Sequence, residues 1–118
     1  DMGSLRHTDV IMEVAREMGI RGVFGKTLMD DPSCPPGLVE TTDGGLEASR
    51  HLAQTWHGKG GGRIRYAFAP RFALSCTEAL LRGAAEAARD AIWAKELAVY
   101  EGRGRGDISV YVSNTADG

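Results

Sequence analysis

Side chains capable of chemistry gather at a few places in this sequence of 118 residues. Gly25-Lys26-Thr27 has the composition of a phosphate-binding turn. A P-loop, however, needs a glycine five positions before Gly25 and a strand that feeds through the loop into a helix. Position 20 is Ile, and the triplet lies within an apolar run. Spacing and context therefore both exclude that motif. Lys26 itself retains two accounts. A buried ammonium is costly without a partner, so Lys26 either snorkels or joins an internal ion pair, or else it lines a pocket.

His51 and His57 are six positions apart, not the four that put two zinc ligands on one helix face, and His7 is remote from both. Cys34 and Cys76 are far apart and lack the Cys-x-x-Cys spacing of metal or redox sites. These residues read as surface histidines and one partly buried thiol, with no metal site and no catalytic cluster. Ser33, Ser49 and Ser75 have no nucleophile-elbow context. Arg105-Gly106-Asp107 is an integrin-type tripeptide, here read as a chance match within a glycine-rich turn.

The strongest local signal is Ala69-Pro70-Arg71-Phe72-Ala73-Leu74-Ser75-Cys76, placed where a strand ends and a helix begins. Ligands in parallel α/β folds bind at the carboxyl ends of the strands. The Arg71 guanidinium is a rigid donor fork suited to a carbonyl oxygen or ring nitrogen, and Phe72 can stack on a flat heterocycle. The plainer account is a loop arginine in a surface ion pair beside a core phenylalanine.

Several elements must position these groups. Thr8 is a helix N-cap with Asp9 in the first turn, Val10, Ile11, Val14, Ala15 and Met18 follow at helical spacing, and Gly19 stops the run. Residues 20–29 read as one strand, apolar on both faces except for Arg21, Lys26 and Thr27. Residues 30–40, with three prolines, form a long loop of the kind that is often functional. Thr41 or Thr42 caps a second helix whose buried stripe is Leu46, Ser49, Leu52, Ala53 and Trp56, and Gly58 ends it. Gly44 stands where an acid would complete a capping box from Thr41. Residues 64–69 form the next strand, stopped by Pro70, and Ser75-Cys76-Thr77-Glu78 reads as a capping box opening a third helix that runs to about Tyr100. A turn over 101–106 leads to a last strand over 107–114. Helices alternating with strands imply βαβ crossovers and a parallel sheet.

Composition narrows the function. A hydrophobic share of 42% and a charged share of 25% suit a globular fold. A net charge of −2 argues against gripping nucleic-acid backbones. No apolar run matches a membrane helix, no signal peptide is visible, and two cysteines are too few for a disulfide scaffold, so a cytoplasmic protein is expected.

Three blocks, residues 19–31, 39–50 and 63–81, resemble in order and spacing the amidohydrolase superfamily, in the branch containing guanine deaminase and other aminohydrolases of purine-like rings. Residues 1–9 are similar to that family's second strand running into its helix, so the likeness covers about residues 1–90. The resemblance implies a partial (β/α)8 barrel: one domain over 1–118 of three to four βα units with parallel strands, family-like over 1–90 and divergent over 91–118. It implies a zinc or iron ion that activates water to displace an amino group as ammonia, and a purine-like substrate contacted by Arg71 and Phe72, with Lys26 and Asp30 as possible lining of the same pocket. The family's metal ligands lie on strands that this sequence does not contain, and if residues 108–115 stand in for the fifth strand, Ser113 replaces an imidazole. The expectation is therefore a segment of a metal-dependent deaminase that binds no metal and is inactive alone. The alternative is a non-enzymatic α/β unit whose open strand edges drive homo-oligomerisation.

Overall fold

A computed structural model describes residues 7–71, 73–93 and 96. Helix α1 (Thr8–Met18) begins at His7 with no side-chain cap, so Thr8 is the first helical residue and not the expected N-cap. Gly19 ends it in the left-handed conformation, φ 74°, and the Gly19 N–H returns to the Arg16 carbonyl. Met12 and Ala15 point into the core, whereas Val10, Val14 and Met18 remain exposed.

The apolar run after α1 is not one strand. It divides into β1 (Gly22–Phe24) and β2 (Thr27–Leu28), and its partner divides into β3 (Ile64–Tyr66) and β4 (Ala69–Pro70). β1 pairs in parallel with β3 and β2 with β4, with Gly22 opposite Ile64 and Thr27 opposite Ala69. The two ladders share one register across the interruption, where the Ala67 N–H still donates to the Phe24 carbonyl at 2.9 Å. Gly25 explains the break. A Cβ there would lie 2.1 Å from the Ala67 carbonyl oxygen, so two backbones approach where only glycine fits. The next N–H, from Lys26, leaves the ladder and donates to the Tyr66 hydroxyl at 3.2 Å.

Helix α2 (Thr42–Trp56) connects the two strand tracks. The Thr41 hydroxyl accepts from the Gly44 N–H at 3.1 Å, which fixes the cap at Thr41. Ser49, Ala53 and Trp56 are buried, with Leu46 and Leu52 half-buried beside them. Helix α3 (Glu78–Ala88) is capped by Thr77, whose hydroxyl accepts from the Leu80 N–H at 3.2 Å. That corrects the expected Ser75 capping box: residues Ala73–Ser75 form a 3-10 turn, and Ser75 is spent on the β2 end. Beyond α3 the chain widens into a π-helical turn over Arg89–Trp93. The core forms where α1, α2 and α3 cover the strands, around Met12, Leu28, Ile64, Tyr66, Phe68, Leu80 and Ile92.

The architecture is thus α/β with parallel strands. Phe72, residues 94, 95 and 97–100 of the expected continuation of the third helix, the turn over 101–106, the Arg-Gly-Asp tripeptide, the strand over 107–114 and residues 1–6 lie outside the described residues. No helix of the described residues is long and apolar enough to cross a membrane.

Candidate functional site

The carboxyl end of β2 is a junction. The Leu28 carbonyl accepts from the Arg71 N–H at 3.1 Å and from the Cys76 thiol at 3.4 Å. The Met29 carbonyl accepts from the Glu40 N–H at 3.0 Å, and the N–H groups of Asp30 and Asp31 both reach the Ser75 carbonyl at 3.2 Å. Two loops, 29–41 and 71–77, are therefore fastened to one strand end. Arg71 is exposed and follows directly on β4. Leu74, in the same loop, is 80% exposed, an apolar side chain held out to solvent.

Asp30 lies at this junction, buried. Its carboxylate accepts from the Thr77 N–H and the Thr77 hydroxyl, each at 2.6 Å, and from the Thr42 hydroxyl. Burial pushes its pKa up, but the donors of Thr42 and Thr77 outweigh that and hold it below the usual aspartate range. The observed work of Asp30 is to join β2 to the starts of α2 and α3.

Lys26 is 3% exposed and its ammonium is ion-paired with Glu40, with a second contact to the Thr27 carbonyl at 3.4 Å. The internal ion pair is thus present. Lys26 also lines a cleft of about 350 Å³ with Thr8 and Asp9 of α1 and Ala48, His51, Leu52, Thr55 and Trp56 of α2. Neither Arg71 nor Asp30 belongs to the lining of that cleft. Behind the strands, the Tyr66 hydroxyl meets the Ser49 hydroxyl at 2.5 Å, and burial pushes the phenol pKa up against these bonds. The Tyr66 and Phe68 rings meet edge to face, 5.4 Å apart.

His7 and His51 are exposed, as read from the sequence, but His57 is not a surface histidine. It is 3% exposed, its Nδ1 accepts from the Tyr66 N–H at 3.0 Å, and its Nε2 faces the carboxylate of Glu96. Cys76 is buried and Cys34 half-buried. Among the described residues no three His, Cys, Asp or Glu side chains converge as metal ligands would. The donor set in these residues therefore does not fit a zinc or iron centre. Sequence reasoning missed Glu40, Thr77 and Glu96. Glu40 carried a signal, because a buried lysine demands an acid and Glu40 ends the proline-rich loop that follows it.

No protein-family profile matches the chain. Guanine deaminase of Escherichia coli is 35% identical over 65 residues, 55% of this chain and 14% of the relative. Guanine deaminase of Rattus norvegicus is 32% identical over 78 residues, 64% of this chain and 17% of the relative. The solved E. coli guanine deaminase superposes with a TM-score of 0.64 at 29% identity, over 70% of this chain and 18% of that one. A guanine deaminase from C. acetobutylicum, solved with guanine in its active site, gives 0.70 at 18% identity over 97% of this chain and 28% of that one, a likeness of fold. These neighbours are amidohydrolases built on (β/α)8 barrels. The chain spans less than a fifth of the length of the curated relatives named here. Over the part of its length that these matches cover, the chain is related to the guanine deaminases of the amidohydrolase superfamily.

Proposed function

We propose that this chain corresponds to part of the barrel of a metal-dependent hydrolytic deaminase, and supplies one wall of the pocket for a purine-like ring. The observation that carries this reading is the placement of Arg71. Its backbone is tied to Leu28 of the neighbouring parallel strand, at the end of the sheet where α/β enzymes bind ligands. Arg71 offers paired donors to the oxygen and nitrogen edge of a purine, Phe72 provides a stacking face, and the exposed Leu74 extends the apolar rim. Asp30 holds the Arg71 loop in place, and Lys26 belongs to the supporting wall. A zinc or iron ion, if held by other parts of the intact enzyme, would supply the activated water. Its ligands belong to parts of such an enzyme beyond these residues, so the chain by itself is inactive, and its setting is the cytoplasm.

Guanine titrated into the purified chain and followed by amide chemical shifts tests the pocket. Shifts at Arg71 and Leu74, with affinity lowered about tenfold by Arg71→Ala, support the reading. Binding indifferent to that substitution overturns it. Stoichiometric bound metal together with ammonia released from guanine overturns the claim of inactivity.

A second reading rests on a different observation. Among the described residues β1 pairs with β3 alone and β2 with β4 alone, which leaves both outer edges open, and Val10, Val14, Met18, Ile20 and Val23 are exposed. Open edges beside apolar surface favour association of copies. In this reading the chain is a non-enzymatic α/β unit that forms homo-oligomers. Light scattering separates the readings, because a stable compact monomer contradicts the second.

A further inference from the structure

We propose that the buried His57 imidazole is an acid-sensitive link between the end of α2 and β3, accepting from the Tyr66 N–H while neutral and giving up that bond when the ring takes a second proton. Glu96 lies 39 positions after His57, yet it is 6% exposed and its carboxylate meets both His57 Nε2 and Arg65 Nη1. The Arg65 guanidinium is steadied through its Nε, which donates to the Gly62 carbonyl at 3.2 Å. On the other side of the imidazole, Nδ1 accepts from the Tyr66 N–H, so the ring proton resides on Nε2 and is donated to Glu96.

This geometry uses a neutral imidazole and an ionised carboxylate. A second proton on the ring must enter at Nδ1, where it would face the Tyr66 N–H, donor against donor. An imidazolium gains attraction to Glu96 but stands close to the Arg65 cation as well, in a ring position that now costs the Tyr66 bond. The other charges at this end are Lys59 and Arg63 in the turn after His57, and Arg16 of α1, which reaches Gly60 in that turn and pairs with Glu13. A second proton on the ring thus costs the Tyr66 bond, while Nε2–H still faces Glu96.

The test follows the His57 ring nitrogens and the hydrogen exchange of the Tyr66 amide in the full chain, from about pH 8 to pH 5, the window in which an ordinary histidine titrates. The expected result is the Nε2–H tautomer at the upper end. At the lower end, Tyr66 protection falls about five- to tenfold after correction for intrinsic exchange, the worth of one hydrogen bond. The fall coincides with double protonation of the His57 ring. His57→Gln makes Tyr66 protection independent of pH in this window. If that variant does not fold, the wild-type titration decides alone. A His57 ring that stays neutral to pH 5 with Tyr66 still protected overturns the proposal, as does a ring that takes its second proton with no change at Tyr66.

Discussion

Asp30 and Thr77, 47 positions apart, are joined by two hydrogen bonds: the Thr77 N–H and hydroxyl both donate to the Asp30 carboxylate at 2.6 Å. The N-cap of α3 is thereby attached to the end of β2, and the loop that carries Arg71 is held between them. A helix start and a strand end are set by one side chain.

Asp30→Asn is expected to destabilise the chain by about 2 kcal/mol at neutral pH, since it weakens charge-assisted bonds to three donors. The pKa of Asp30 is lowered in the fold. Its contribution is therefore complete above the ordinary aspartate value of about 3.9, and is lost as pH falls through the depressed folded value. Urea denaturation of the two proteins should show a stability gap that closes in acid. A gap of constant size down to pH 2, or about there, would contradict the assignment.

The Lys26–Glu40 pair predicts an asymmetry. Lys26 is 4% exposed and Glu40 31% in their side chains. Glu40→Gln strands a buried ammonium and should cost about 3 kcal/mol. Lys26→Met leaves a carboxylate that can reach water, and should cost about 1 kcal/mol or less. Equal losses in thermal or chemical denaturation would show that the charge pair is not the deciding contact.

Gly25→Ala places a methyl group against the backbone oxygen of Ala67, which cannot rotate away. We expect a loss of about 3 kcal/mol or outright unfolding. Gly37→Ala is the control, because nothing lies within 4 Å of its Cβ position. Melting temperatures of the two variants measure the difference directly.

Tyr66→Phe removes the acceptor of the Lys26 N–H and the partner of the Ser49 hydroxyl in one step. The orphaned groups are buried, so the cost is about 2 kcal/mol. Adding Ser49→Ala to Tyr66→Phe should cost less than Ser49→Ala alone, because the double variant leaves no stranded serine hydroxyl. A double-mutant cycle that adds up independently would refute this coupling.

What could be read in the sequence was local. Gly19 as a helix stop, a cap at Thr41 or Thr42, and the buried sequence Ser49, Ala53, Trp56 all follow from spacing and residue type. The parallel α/β order was legible for the same reason. The strand interruption was not, because hydrophobicity carries no trace of the Ala67 carbonyl that crowds Gly25. Ser75 looked like the N-cap, but its carbonyl is drawn to Asp30 and Asp31, and the helix begins two residues later at a threonine that Asp30 engages. His57 stands beside a glycine-rich turn and has the profile of a surface residue. In the fold its two ring nitrogens meet Glu96 and the Tyr66 amide, and the ring is buried. Arg71 was recognisable by type and position, whereas its bond to Leu28 belongs to the three-dimensional fold.

The unbroken register across the Gly25 interruption also restricts how such a gene can drift. β1 pairs with β3 and β2 with β4 in one phase, so the two strand tracks count residues together even where they do not bond. A single codon gained or lost between Phe24 and Thr27 would turn Leu28 and Asp30 to opposite sides and separate Asp30 from Thr77. A matching gain or loss between Tyr66 and Ala69 would restore the phase. Length changes in these two short stretches should therefore survive in descendants as compensated pairs, while the proline-rich loop and the glycine turn can change length independently.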